Sequence, residues 1–80
     1  MTRRQSSDTF AKAGSALWGW QWQTDAAREL KISLSSVVRY AKGEREIPAE
    51  VFRQLSWLID ERLEVLERMK PGVMRAGEEE

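Results

Sequence analysis

Gln23-Thr24-Asp25-Ala26-Ala27-Arg28-Glu29-Leu30-Lys31-Ile32-Ser33-Leu34-Ser35-Ser36-Val37-Val38-Arg39-Tyr40-Ala41-Lys42-Gly43 is the stretch that decides the fold. Ala26, Ala27 and Leu30 recur at the spacing of one helix face and predict a helix over residues 23–30. Lys31-Ile32-Ser33 is a short connection. Ser33 is a good N-cap, with Ser36 three residues on. A second helix then runs from Leu34 to about Lys42, with Val37, Tyr40 and Ala41 facing inward and Gly43 as its stop. Two helices this short, joined by three residues, do not lie antiparallel. The small Ala27 permits close approach and the apolar Ile32 fills the angle, so the pair reads as a crossed helix-turn-helix.

Working outward, Phe10, Ala13 and Leu17 predict a preceding helix, capped by Ser7 or Asp8 and running to about Trp18. Gly14 weakens it by about 1 kcal/mol relative to Ala, and Gly19 terminates it. Residues 1–7 are polar and basic and are expected to form a disordered arm. On the other side, Glu44-Arg45-Glu46 is a charged loop and Pro48 suits the first turn of a last helix. That helix is expected to reach about Met69, a length of roughly 33 Å, where Pro71-Gly72 ends it. Val51, Leu55, Leu58, Ile59, Arg62, Leu66 and Met69 mark its buried side. Residues 71–80, closing on Glu78-Glu79-Glu80, are expected to be a solvated acidic tail. The expected fold is therefore all-α: four to five helices over residues 8–70, a central helix-turn-helix and a long C-terminal helix.

Composition narrows the function. Eighty residues make one small domain. The absence of Cys excludes a disulfide framework and a thiol nucleophile. With His absent too, the usual zinc ligands and the common general base are gone. There is no glycine-rich phosphate loop, and Asp60, Glu64 and Glu67 share what reads as a solvated face. The expectation is a protein that is no enzyme, needs no cofactor or metal and binds no small molecule. No apolar run approaches the ~20 residues of a membrane span, and no hydrophobic signal region follows the basic N-terminus, so a cytoplasmic protein is expected. The formal net charge of zero conceals a split. Residues 1–45 hold eight Lys and Arg against four Asp and Glu, whereas residues 46–80 hold five against nine. The first half is suited to face an anion.

The quoted stretch resembles, without a gap, the helix-turn-helix of the lambda-repressor and Cro-like (XRE-type) proteins. Gln23 falls where that family opens its second helix, Ala27 on its small residue, Leu30, Ile32 and Val37 on core positions, and Gly43 on the closing glycine. The wider stretch from Ala16-Leu17 through Trp22-Gln23 to Ile47-Pro48 is similar to small phage and prophage regulators. Anti-CRISPR-associated repressors and antitoxins are similar small proteins. One departure is Lys31, where the family usually has a left-handed Gly, at a cost of roughly 1 kcal/mol for a side chain.

The resemblance implies double-stranded DNA as partner, with the third helix in the major groove. Base contacts carried over are Leu34, Ser35 and Arg39. The Arg39 guanidinium suits guanine O6 and N7, with a surface Arg touching phosphate or solvent as the plainer reading. Leu34 belongs either against a thymine methyl or in the core. Val38 joins them because an exposed Val suits a thymine methyl better than water. Phosphate candidates are Gln23, at the start of the second helix, with an ordinary helix-start residue as its plainer reading, and Ser36, Lys42 and Arg45 around the third, with a solvated surface as theirs.

Trp18, Trp20 and Trp22 alternate within five residues, too few for a paired strand between two helices. Core packing is the default for them; the resemblance implies that Trp22 is buried and Trp18 partly so, leaving Trp20 open. The distal part of the last helix keeps Ile59, Leu63, Leu66 and Met69 with nothing in so small a domain to cover them. Together with Trp57 they form a candidate homodimer interface. A two-fold dimer would set two recognition helices about one DNA turn apart, ~34 Å, over a palindromic site. The expected function is a sequence-specific transcriptional regulator, most simply a repressor or autorepressor at the nucleoid. The alternative is a protein-interaction module or antitoxin-like protein on a helix-turn-helix scaffold.

Overall fold

In the computed structural model, which describes residues 1–79, four helices follow one another: α1 Arg3–Trp18, α2 Trp22–Leu30, α3 Leu34–Lys42 and α4 Ala49–Glu78. The chain is all-α, and no strand occurs among the described residues. α1 packs on α2, α3 and α4, and α2 packs on α3 and α4. α3 is thus held from behind by α1 and α2 alone, and its opposite side faces solvent.

The core is a single cluster. Phe10 and Val37 are its two most enclosed large side chains, joined by Leu17, Trp22, Ala26, Leu30, Tyr40, Ile47, Val51 and Leu55. Phe10 is the hub, with edge-on contacts to Trp22 at 5.4 Å and to Tyr40 at 5.8 Å between ring centroids. Edge-to-face geometry sets positive ring edges on a negative face and adds about 1 kcal/mol per pair to simple burial. Trp22 is buried, Trp18 is half-buried and Trp20 is almost wholly exposed. Gly14 has a packing role that its helix propensity conceals. A Cβ built on it would lie under 3.0 Å from the Trp22 indole, so the bare glycine is what lets α1 and the ring meet.

The N-terminus differs from the sequence expectation. Residues 3–7 are helical, not a disordered arm, because Thr2 and Gln5 form a reciprocal capping box. The Thr2 hydroxyl accepts from the Gln5 amide, and the Gln5 side chain accepts from the Thr2 amide. Ser7 is consequently no cap. It is buried inside α1, and its hydroxyl donates to the Ala41 carbonyl at 2.7 Å, tying α1 to the end of α3. Asp8 is an exposed mid-helix residue.

The two turns of the central motif follow local chemistry. Ser33 accepts from the Ser36 amide at 3.0 Å and caps α3. Gly43 closes α3 in the left-handed region at φ 75°, where a missing Cβ removes the strain. Lys31 occupies the same region at φ 57° as the only non-glycine residue with positive φ among those described. Its amide bonds back to the Arg28 carbonyl and that of Ile32 to Ala27, so the turn holds in spite of the side chain. Lys31→Gly is expected to stabilise the domain by about 1 kcal/mol, raising Tm by roughly 4–8 °C. A calorimetric scan showing an unchanged or lower Tm would contradict the assigned strain.

α4 also departs from expectation. It runs through Pro71 and Gly72 to Glu78, so residues 71–78 are helix and not a tail; Glu80 lies outside the described residues. Proline removes one backbone hydrogen bond, here to the Glu67 carbonyl, but both residues are exposed and water can satisfy that oxygen. Arg68, Met69, Lys70, Met74, Arg75 and Ala76 around it are good helix formers. Of the side expected to be buried, Val51 and Leu55 are core and Leu58 is half-buried, whereas Ile59, Leu66 and Met69 are exposed. The helix simply outruns the domain. Its 30 residues span roughly 45 Å, and the molecule measures 51 × 22 × 21 Å. The radius of gyration is 15.4 Å, against about 12 Å for a compact chain of this length. Arg62 does not pack in the core but reaches back to donate to the Leu17 carbonyl at 2.9 Å, capping the end of α1.

Candidate nucleic-acid interface

α3 presents two opposite faces. Val37 is fully enclosed and Tyr40 buried, and both point at α1 and α2. On the other side, Leu34, Ser35, Arg39 and Lys42 are exposed, and Val38 is half-buried beside them. Leu34 is 48% exposed, which decides its placement: it is a surface residue of the first turn and not part of the core. The stripe at 34, 35, 38, 39 and 42 follows directly from the helical period once Val37 and Tyr40 are fixed inward.

Cations dominate this stripe. α3 contains no acidic residue, and Arg39 and Lys42 both fall in its last turn, where they also offset the negative end of the helix dipole. Ion pairs among the described residues are Arg28 with Asp25, Arg53 with Glu50 and Arg68 with Glu64. Arg39, Lys42 and Arg45 take part in none of them. Arg45 instead donates to the Ser36 hydroxyl at 3.2 Å, and Ser36 also accepts from the Ser33 hydroxyl at 2.9 Å. Ser36 and Arg45, singled out separately, therefore form one linked polar patch at the start of α3. Ser33 belongs to it as well. Its capping role is legible in sequence, but its link to Arg45 depends on the loop after Gly43 turning back along α3.

Gln23 is half-buried in the first turn of α2. Gln21, the N-cap there, makes no side-chain capping hydrogen bond, in contrast with Ser33 on α3. The opening amides of α2 are thus uncapped by a side chain, next to a shallow depression lined by Trp20, Gln21, Gln23 and Thr24. Trp20, 87% exposed on the bend after Gly19, is the residue whose place sequence reasoning left open.

The residues proposed for self-association lie elsewhere. Ile59, Leu63, Leu66 and Met69 are exposed on the projecting part of α4. Trp57 is exposed too but sits about 200° round the helix from Ile59 at 100° per residue. It lines an open groove with Leu30, Ile32, Arg53 and Gln54, so one partner helix does not cover both. No helix is long and apolar enough to cross a membrane, and no group of metal-ligating side chains occurs among the described residues.

Compared with family models, with curated proteins and with solved structures, the chain matches none.

Proposed function

We propose that this protein is a sequence-specific double-stranded DNA-binding regulator, most simply a repressor that occupies its operator, with α3 as the reading helix. The observation that carries the reading is the outward stripe of α3, where Arg39 and Lys42 make no ion pair among the described residues and stand beside Leu34, Ser35 and Val38. An unpaired guanidinium on a firmly seated helix offers two parallel donors for a guanine edge. Lys42 and the Ser36–Arg45 patch suit phosphates, which position the protein without reading sequence. Leu34 and Val38 suit thymine methyl groups. The resemblance of residues 23–43 to lambda-repressor and Cro-like proteins supports the same reading and fits a cytoplasmic, nucleoid-associated protein. A protein-interaction role is the second reading, favoured by the exposed Trp20 and Trp57.

Fluorescence anisotropy with the duplex upstream of the protein's own gene, against a scrambled duplex over a salt series, tests the proposal. Arg39→Ala is expected to erase the preference for the specific duplex, by roughly 5- to 150-fold, as one bidentate base contact is worth about 1–3 kcal/mol. Lys42→Ala is expected to weaken both duplexes alike and to flatten the salt slope by about one unit. If both duplexes bind equally, selection from a random library locates the operator. Absence of binding to any duplex at low salt would overturn the DNA reading in favour of the interaction module.

A further inference from the structure

Beyond the domain, α4 is a solvent-exposed helix with an apolar seam. Ile59, Leu66 and Val73 repeat every seven residues, and so do Arg62, Met69 and Ala76, which interleave with them three residues later. That is the a/d pattern of a coiled coil. Ile59, Leu66, Met69 and Val73 are 36%, 53%, 55% and 66% exposed, so the seam is uncovered over its whole distal length. A lone helix of this kind is marginal in water without a partner for its apolar side.

Charge along the same segment reverses sign. Residues 60–67 carry four acidic side chains and one Arg, whereas residues 68–76 carry three basic ones and no acid. Laid parallel and in register, two copies would oppose acidic block to acidic block and basic to basic. Arg62 would also share a layer with its own mate. Laid antiparallel about a two-fold axis between Glu67 and Arg68, each acidic block meets a basic one. The same axis puts Leu66 opposite Met69, Ile59 opposite Ala76 and Val73 opposite Arg62, whose guanidinium turns aside to the Leu17 carbonyl of its own domain. These are the a-to-d layers that an antiparallel coiled coil requires, and no two guanidiniums share one. The small Ala76 and Gly77 then arrive at Ile59, where α4 leaves its own domain. We infer that the distal half of α4 pairs antiparallel with the distal half of a second copy of this chain, leaving the two helix-turn-helix domains at opposite ends of the dimer.

The pairing itself does not depend on DNA binding; only its consequence for spacing rests on that reading. From Leu55, where α4 meets the core, to the two-fold axis is about 19 Å, so the two domain cores stand roughly 38 Å apart along the axis. That is close to the ~34 Å between successive major grooves on one face of a duplex.

The natural chain has no cysteine, so introduced thiols are unique. The 80-residue chain is tested as Ile59→Cys, Ala76→Cys and an equimolar mixture of the two, oxidised in the absence of DNA. In the antiparallel dimer residues 59 of the two chains lie about 26 Å apart, beyond the ~7 Å limit for a disulfide, whereas Ile59 of one chain adjoins Ala76 of the other. The expected result is little cross-linking in either variant alone and a rapid disulfide heterodimer in the mixture. Rapid homodimer cross-linking of each variant alone would overturn the inference in favour of parallel pairing. Sedimentation of the unmodified protein as a monomer at 100 μM would overturn it altogether. Leu66→Glu should abolish the dimer while the cooperative melt of the domain core, followed by tryptophan fluorescence, is retained, since Leu66 is exposed and lies outside the core; a dimer that persists in this variant would contradict the seam. Failure of DNA binding alone would leave all of these outcomes unchanged.

Discussion

Phe10→Ala is expected to remove about 4 kcal/mol of stability and to move the urea midpoint to much lower denaturant. Phe10 is 1% exposed and touches both Trp22 and Tyr40, so truncation opens a void between α1, α2 and α3. A domain of this size has only about 4–12 kcal/mol in total. The loss therefore consumes a large share of its margin. Urea denaturation followed by far-ultraviolet circular dichroism measures it directly. Phe10→Leu should keep most of the stability, because it retains most of the apolar volume. A loss of less than about 1 kcal/mol for the alanine variant would mean that the three-ring contact does not organise the core.

For Gly14→Ala we expect a loss of about 2 kcal/mol, the balance of two opposed effects. Alanine is the better helix former by about 1 kcal/mol. Against this, its methyl would fall under 3.0 Å from the rigid, buried Trp22 indole, and neither backbone nor ring can withdraw freely. Overpacking of this kind costs about 1–3 kcal/mol, and the upper end applies here because the obstacle is a fused ring. Gly72→Ala and Gly77→Ala are the matched comparison. Both lie in α4 with nothing within 4 Å of the added carbon, so the same chemical change should be neutral or stabilising there. Thermal melts of the three variants give the signs. A Gly14→Ala protein that melts above wild type would refute the close approach of α1 to Trp22.

Those glycines illustrate what the sequence makes legible. Features governed by neighbours within three or four residues are readable: the Ser33 cap, the Gly43 stop, the bounds of α3 and its inward Val37 and Tyr40. The burial of Trp22 follows only from the resemblance, because the spacing starts that helix at Gln23, one residue after it. Gly14 was readable only as a weak helix former, since the ring that needs it arrives from α2. The Thr2-x-x-Gln5 pattern that starts α1 was present in the sequence, but the two adjacent arginines suggested a free arm. Pro71-Gly72 carried a strong stop signal that solvent and the surrounding helix formers override. Arg62 falls on the apolar period of α4, which assigns it to the buried side; its bond to Leu17 spans 45 residues and leaves no local trace. Within the candidate site, the outward positions of Arg39, Ser35 and Lys42 follow from periodicity alone. Leu34 was undecidable without its exposure, and the Ser36–Arg45 link needed the loop geometry.

The overrun of α4 has a consequence for how its amides exchange with deuterated solvent. Past its uncapped first turn and up to Leu58 the helix is clamped by the core, so those backbone hydrogens exchange only when the whole domain opens. From Leu63 onward the side chains are exposed, and in an isolated chain the amides exchange by fraying inward from Glu78, with the missing donor at Pro71 as a place to start. One unbroken helix would then show a step in protection within a single turn of Arg62. As protein concentration rises, that step should move towards the C-terminus, making the protection boundary a titratable measure of how much of the helix is occupied.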